Sequence, residues 1–291
     1  MEICVAKNAG ACYGVSRSLD IVKGSRNDSG KIATLGELIH NPLVVKELSD
    51  DFGVSVVKSV KEAMDKGIEK LIIRSHGVPL DVLSEAQESG IEIIDATCPY
   101  VKNVASSASL LAGLYPAVVI IGKKGHPEVE AVASYVRAAG SKCFIGENSE
   151  EINRFLPELK ELNDTIGVVS QTTQSVEVFQ DIVRYLEENK VKVEVENTIC
   201  VATKKRQESA AELAKEVDAM LVIGGHNSSN TNHLAALCRQ NCDKVFHIES
   251  EDELKEIDFS GVNKLGITAG ASTPKSQIDS ILQSSYLKNF G

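Results

Sequence analysis

The chain has 291 residues, 43% of them hydrophobic and 25% charged, and 31 Lys and Arg against 41 Asp and Glu give a net charge of -10. That length suits two or three modest domains or one large α/β domain, and the acidic balance argues against a nucleic-acid backbone as the main partner. Aromatic residues are only 4% and tryptophan is absent, so base-stacking platforms are not expected, although a local cationic site for a small anion stays open.

Met1-Glu2-Ile3-Cys4-Val5-Ala6-Lys7 has no signal-peptide layout, and the longest apolar runs, such as 117–121, fall far short of a membrane span. A cytoplasmic location is the expectation. Seven cysteines are scattered along the chain. In a reducing compartment these read as unbridged, buried or metal-bound thiols rather than disulfides.

Residues 3–6 read as a short strand. Asn8-Ala9-Gly10-Ala11-Cys12-Tyr13-Gly14-Val15 reads as a turn into a helix over 16–23 that ends near Asn27-Asp28-Ser29-Gly30. Strand 32–35 runs into Ile39-His40-Asn41-Pro42 and a helix, 54–57 is strand, 60–66 is helix, and strand 70–73 empties into Arg74-Ser75-His76-Gly77. Strand 91–94 leads to Asp95-Ala96-Thr97-Cys98-Pro99 and a helix over 101–114. Strand 117–121 leads to Gly125-His126-Pro127-Glu128, strand 165–169 to Ser170-Gln171-Thr172-Thr173, and strand 193–196 to Thr198-Ile199-Cys200. Strand 220–223 leads to Asn227-Ser228-Ser229-Asn230, and strand 265–268 to Ala269-Gly270-Ala271-Ser272. Short apolar strands alternating with helices are the pattern of parallel sheets covered by helices, an α/β fold.

The loops repeat. Cys12, Cys98 and Cys200 each sit where a strand hands over to a helix, with Arg17, Lys102 or Lys204 soon after, and His40, His126 and Ser228 each follow a cysteine by 28 positions. A third polar strand end follows at His76, Thr172 and Ser272. One unit of roughly 90 to 100 residues therefore recurs, an average domain size. The expected domains are 1–95, 96–196 and 197–291, one cysteine in each. Ligands of open α/β sheets bind beyond the carboxyl ends of the strands. Three such domains turned inward would enclose one cavity with three thiolates at its base.

A cysteine at a helix start meets unpaired N–H groups and the positive end of the helix dipole, which favour the thiolate, the form that binds metal or attacks. Any one cysteine alone reads as a small buried hydrophobe; the shared context argues for a ligand set. Zinc and an iron–sulfur cluster both remain open at this point, although no Cys-x-x-Cys pair of the usual structural zinc type occurs. Cys4, Cys143, Cys238 and Cys242 read as structural. His40, His76 and His126, with Ser228, Asn230 and Ser272, could bind an anion or simply cap helices. Glu128 could hold and donate a proton, or serve only the helix dipole. Glu130, two residues on, points elsewhere. These residues admit a reductase, a zinc-dependent phosphate-ester enzyme, or a binding protein that closes on a ligand without chemistry.

Taken together, the motifs quoted above, with Gly10-Ala11-Cys12-Tyr13-Gly14-Val15, Ser75-His76-Gly77-Val78 and Gly125-His126-Pro127-Glu128-Val129-Glu130, resemble the 4-hydroxy-3-methylbut-2-enyl diphosphate reductase family over nearly the whole chain. The resemblance implies a trefoil of three α/β domains about one central [4Fe-4S] cluster per chain, held by Cys12, Cys98 and Cys200 with one iron open. It implies an allylic alcohol diphosphate as substrate, its hydroxyl oxygen on the open iron, its diphosphate held by His40, His76, His126, Ser228, Ser229, Asn230 and Ser272, and Thr172 also at the substrate. Glu128, with Thr172 relaying, would protonate the departing hydroxyl. The products would be isopentenyl and dimethylallyl diphosphate, with electrons from an external donor such as ferredoxin or flavodoxin.

Overall fold

The computed structural model describes residues 1–25 and 30–288. Twelve strands run through the described chain: β1 Glu2–Val5, β2 Ile32–Leu35, β3 Ser55–Val57, β4 Lys70–Ile73, β5 Glu92–Asp95, β6 Ala117–Ile121, β7 Lys142–Gly146, β8 Thr165–Ser170, β9 Lys192–Val195, β10 Ala219–Ile223, β11 Val245–Ile248 and β12 Lys264–Ala269. The sequence reading places ten of these within a residue or so of their ends; β7 and β11 lie outside its alternation. The first helix is Tyr13–Gly24; its expected end near 27–30 falls largely outside the described residues.

The strands form three four-stranded sheets in the orders β3-β2-β4-β5, β7-β6-β8-β9 and β11-β10-β12-β1, with every pairing parallel. A parallel sheet needs helices on both faces, so its inner strands read as unbroken apolar runs. β6 is Ala-Val-Val-Ile-Ile and β10 is Ala-Met-Leu-Val-Ile, each buried at all 5 positions. Period-two alternation then splits each strand between two cores. Ala117, Val119 and Ile121 pack with Phe179, Ile182 and Leu186, whereas Val118 and Ile120 pack with Val104, Ala108 and Val132. The fourth strand of each sheet is an edge and shows it: β5 and β1 expose both end residues, and β9 exposes alternate ones.

One expected assignment differs. The division at 95 assigns the first strand to the first domain, yet β1 pairs with β12, Ile3 facing Leu265 and Val5 facing Ile267. Each sheet therefore has the same topology, in chain order 2-1-3-4, and in the last sheet the chain's N-terminal strand takes the fourth place. A four-residue apolar pattern specifies an edge strand but not its partner, which is why the pairing is not legible locally. One compact unit comprises the described residues of Met1–Ser16, His40–Val44 and Val201–Gly291; the other comprises those of Arg17–Ile39 and Val45–Cys200.

Leu265 is fully buried and lies between Ile3 and Ala219 in the sheet. Leu265→Ala is expected to cost about 2–5 kcal/mol in chemical denaturation. In hydrogen exchange the β1 amides should be protected to the level of β12; protection that tracks β2–β5 would contradict this pairing.

Candidate functional site

Each of the three recurring cysteines follows the fourth strand of a sheet and is held by the same backbone bond. The Cys98 N–H donates to the Ser75 carbonyl at 2.9 Å, the Cys200 N–H to Thr172 at 3.0 Å and the Cys12 N–H to Ala271 at 3.1 Å. The acceptor always lies two residues beyond the third strand. The preceding turn is shaped twice by an Asx turn: the Asp95 carboxylate accepts from the Thr97 N–H at 2.8 Å, and Asn197 Oδ1 from the Ile199 N–H at 3.2 Å. Asp95 also pairs with Lys102 at 2.5 Å. Before Cys12 the same bend falls to Gly10, at φ +92, where a Cβ would stand 2.8 Å from Ile278 Cδ1. Cys98 then caps the helix Pro99–Leu114 with Pro99 in its first turn.

All three cysteines are half-buried. Cys143 and Cys238 are different: burial pushes their thiols up to about 11 and about 12, so neither readily gives the thiolate that a metal needs. Two of the four cysteines read as structural thus sit where burial disfavours the thiolate. The basic residues after the cysteines each have a partner, that of Arg17 lying 80 positions along the chain. Arg17 donates to the Thr97 carbonyl at 3.3 Å, and Lys204 lies 4.0 Å from Glu208.

In the unit that includes β2–β9, the loop after β6 begins at Gly122, where a Cβ would sit 2.9 Å from both Gln171 Cβ and Val129 Cγ2. His126 caps the helix Pro127–Ala138, its Nδ1 accepting the Glu128 N–H at 3.1 Å. That bond leaves the neutral ring's proton on Nε2. The His76 ring meets the His126 ring edge-on, with centroids 5.4 Å apart. Glu128 is 1% exposed. The Thr172 N–H donates to its Oε1 at 2.6 Å, and Thr172 Oγ1 lies 2.8 Å from its Oε2. Burial pushes the carboxyl up to about 7 against the pull of these two bonds. Glu130 instead accepts from the Gly125 N–H at 3.0 Å and lies 3.9 Å from Arg137.

The third polar position needs one correction. The Gly77, Gln174 and Thr273 N–H groups close the same four-residue turn onto the Arg74, Gln171 and Gly270 carbonyls. His76, Thr173 and Ser272 are therefore equivalent, and Thr172 matches Ser75 and Ala271. Unequal offsets from the cysteines concealed the one-residue shift.

In the other unit, the loop after β10 leaves at Gly224, whose Cβ would lie 2.8 Å from Thr231 Oγ1 and Thr273 Oγ1. Ser228 caps the helix Ser229–Arg239. Ser228, Ser229 and Asn230 are 4%, 6% and 4% exposed, and the Asn230 Nδ2 has no hydrogen-bond partner among the described residues. A buried donor left unsatisfied costs about 1–3 kcal/mol, so an amide in this state marks a place for an acceptor. Ser272 Oγ donates to the His40 carbonyl at 3.0 Å, and Asn41 Nδ2 returns a bond to the Ser272 carbonyl at 2.8 Å. The loops that carry His40 and Ser272 are thus doubly tied. Asn41 and Gln171 stand in quoted motifs without an expected role. Gln171 accepts from the Lys123 N–H at 3.1 Å and donates to Thr173 Oγ1 at 3.0 Å. For Asn41 the available signal was an Asn directly before Pro at a helix start.

The model of the LytB protein family matches residues 3–285. The 4-hydroxy-3-methylbut-2-enyl diphosphate reductase of Pelobacter propionicus is 42% identical over 282 residues, 97% of this chain and 96% of that protein. That of Aquifex aeolicus is 40% identical over 275 residues, 94% and 92% of the two. A solved (E)-4-hydroxy-3-methyl-but-2-enyl diphosphate reductase, described as the terminal enzyme of the non-mevalonate pathway, aligns with a TM-score of 0.69 at 37% identity over 99% of this chain and 100% of that one. The Plasmodium falciparum reductase aligns with a TM-score of 0.87 at 25% identity over 97% and 86%. No helix among the described residues is long and apolar enough to cross a membrane.

The Glu128 carboxyl, raised from an ordinary 4.5 to about 7, binds its proton more tightly folded than unfolded. It therefore costs the fold nothing below about pH 4.5, and stability drains away as pH rises from there through about 7. Glu128→Gln can keep both contacts with Thr172 without titrating. The variant should gain on the wild type by on the order of 3 kcal/mol between about pH 5 and about pH 8. Parallel stability–pH profiles in urea would show that Glu128 does not titrate there.

Proposed function

The chain belongs to the LytB protein family, and from that premise we propose that it reduces (E)-4-hydroxy-3-methylbut-2-enyl diphosphate to isopentenyl and dimethylallyl diphosphate. The reaction takes two electrons and two protons, breaks the allylic C–O bond and releases water. The observation that carries the reading is the double engagement of Thr172: its N–H and hydroxyl meet Glu128, while its carbonyl holds the Cys200 N–H. A proton source and a candidate metal ligand are thereby locked to one residue.

Family membership supports an iron–sulfur enzyme, and the donor set fits. Three half-buried thiols share one backbone setting at helix starts, whereas burial makes Cys143 and Cys238 poor ligands. We assign Cys12, Cys98 and Cys200 as ligands of one [4Fe-4S] cluster per chain. When bound, such a cluster supplies electrons and an open Lewis-acidic iron, neither of which a side chain can provide.

The chain's own residues do the rest. Hydroxide leaves poorly, so a proton must reach the hydroxyl oxygen as the C–O bond breaks. Glu128, held near neutrality by burial, keeps that proton at ordinary pH, and Thr172 Oγ1 at 2.8 Å can pass it on. His40, His76, His126, Thr172, Ser228, Ser229, Asn230 and Ser272 are assigned to the substrate. The diphosphate end is remote from the reacting carbon, so its binding energy serves orientation. His126, with its proton on Nε2, is a donor to phosphate oxygen, and Asn230 Nδ2 gains the acceptor it lacks. The electrons come from an external protein donor such as ferredoxin or flavodoxin.

Anaerobically prepared protein should be brown, carry iron and sulfide, and turn over the allylic diphosphate with a strong reductant. A colourless protein that takes up zinc and no iron would favour the phosphate-ester enzyme instead. Glu128→Gln should retain iron and lose about 10²–10⁴-fold in kcat, with Glu130→Gln close to wild type; equal losses would remove Glu128 from the chemistry. Cys98→Ser should lower bound iron, and Cys238→Ser should not.

A further inference from the structure

In the unit that holds His40, Ser272 and 228–230, the loops are joined by a side chain that belongs to none of them. Gln277 lies in the first turn of the helix Lys275–Gln283. Its Oε1 accepts from Asn41 Nδ2 at 3.0 Å, and its Nε2 donates to the Glu249 carbonyl at 2.6 Å, just past the end of β11.

Each partner leads on to a site loop. Asn41 is 2% exposed and fully engaged: Nδ2 also donates to the Ser272 carbonyl, and Oδ1 accepts the Leu43 and Val44 N–H groups at 3.1 and 3.3 Å. Glu249 Oε1 accepts the His226 N–H at 2.7 Å, two residues before Ser228. Between them lies Gly225, where a Cβ would stand 2.9 Å from the His40 carbonyl oxygen, 2.7 Å from Asn227 Oδ1 and 3.2 Å from Glu249 Oε1. The backbones after β2 and β10 therefore approach as closely as glycine permits. Gln277 fixes the one through Asn41 and the other through Glu249.

The task requires an acceptor at one end and a donor at the other, which only a primary amide of this length supplies. We propose that Gln277 is a positioning residue: it holds the His40, Ser272 and 228–230 loops in one register so that their donors meet the same diphosphate, without touching it. This inference rests on the assignment of those loops to the diphosphate. It adds a residue that contributes to affinity from behind the site.

The test uses full-length, iron-loaded Gln277→Met, which loses both bonds at similar volume, and Gln277→Glu, which keeps the acceptor for Asn41 and loses the donor to Glu249. Inorganic diphosphate is titrated by calorimetry, and the allylic diphosphate is assayed for KM and kcat. Gln277→Met should raise both the Kd for diphosphate and KM by about tenfold, with kcat within about twofold of wild type. Gln277→Glu should raise Kd by about threefold. Iron content and melting temperature should stay near wild type, because a merely structural role would lower stability without moving Kd and KM together. Unchanged diphosphate affinity in both variants overturns the inference and leaves the site assignment standing. If Gln277→Met fails to fold, unchanged affinity in Gln277→Glu alone overturns it. A wild-type chain with no affinity for diphosphate removes the assignment and this inference with it.

Discussion

The bond from each cysteine N–H to the carbonyl two residues past the third strand organises everything around it. At the start of a helix that N–H has no intrahelical partner. Giving it to a neighbouring strand's loop satisfies it and fixes the cysteine at once. The cost is that the loop must hold its own shape, and the four-residue turns closed by Gly77, Gln174 and Thr273 supply that shape. The residue just inside each turn is then His76, Thr173 or Ser272. A helix-start thiol and a polar side chain on the neighbouring turn are thus two consequences of one backbone arrangement, repeated in three sheets.

The same arrangement explains what could be read from sequence. The 28-residue spacing from Cys12, Cys98 and Cys200 is the length of a link: a helix, a connection, the first strand of the next sheet and a short turn. Links of equal length leave equal offsets, so His40, His126 and Ser228 could be aligned by counting. The distance onward to the third strand crosses the second strand and its helices, which vary. The expected equivalence of Thr172 with His76 and Ser272 therefore slipped by one residue. Strands β6 and β10 were legible because burial on both faces makes them uniformly apolar. β11, Val-Phe-His-Ile, is half-buried and carries His247, and its period gave no comparable signal.

Electrostatics was legible only in kind. Glu128 beside a proline at a helix start reads as a dipole partner as readily as an acid. Its behaviour is decided by 1% exposure and by the Thr172 contacts across 44 positions of chain. No local pattern reports either quantity. Glu130 illustrates the point: the same residue type, two positions on, bonds to a glycine N–H and faces Arg137. Function is also visible where the fold leaves groups unsatisfied. Asn230 Nδ2, Thr231 Oγ1 and Thr268 Oγ1 are buried without hydrogen-bond partners among the described residues. Asn230 belongs to a loop assigned to the substrate, and its deficit is the kind that binding removes.

The placement of β1 changes what a repeat means here. By backbone pairing, Cys98 belongs to the sheet that ends in β5, and Cys200 to the one that ends in β9. By covalent order each opens the helix that leads into the next sheet. A boundary drawn at the cysteine therefore separates it from the strand that positions it. For Cys12 the mismatch is largest, because its sheet is built from β10–β12 at the opposite end of the sequence. Closing that distance is thermodynamically mild, since loop-closure entropy grows only with the logarithm of length. What the permutation secures is that every cysteine, the first included, follows a fourth strand and receives the same carbonyl. Three like cysteine positions then require three complete sheets, and the N-terminal strand completes the third.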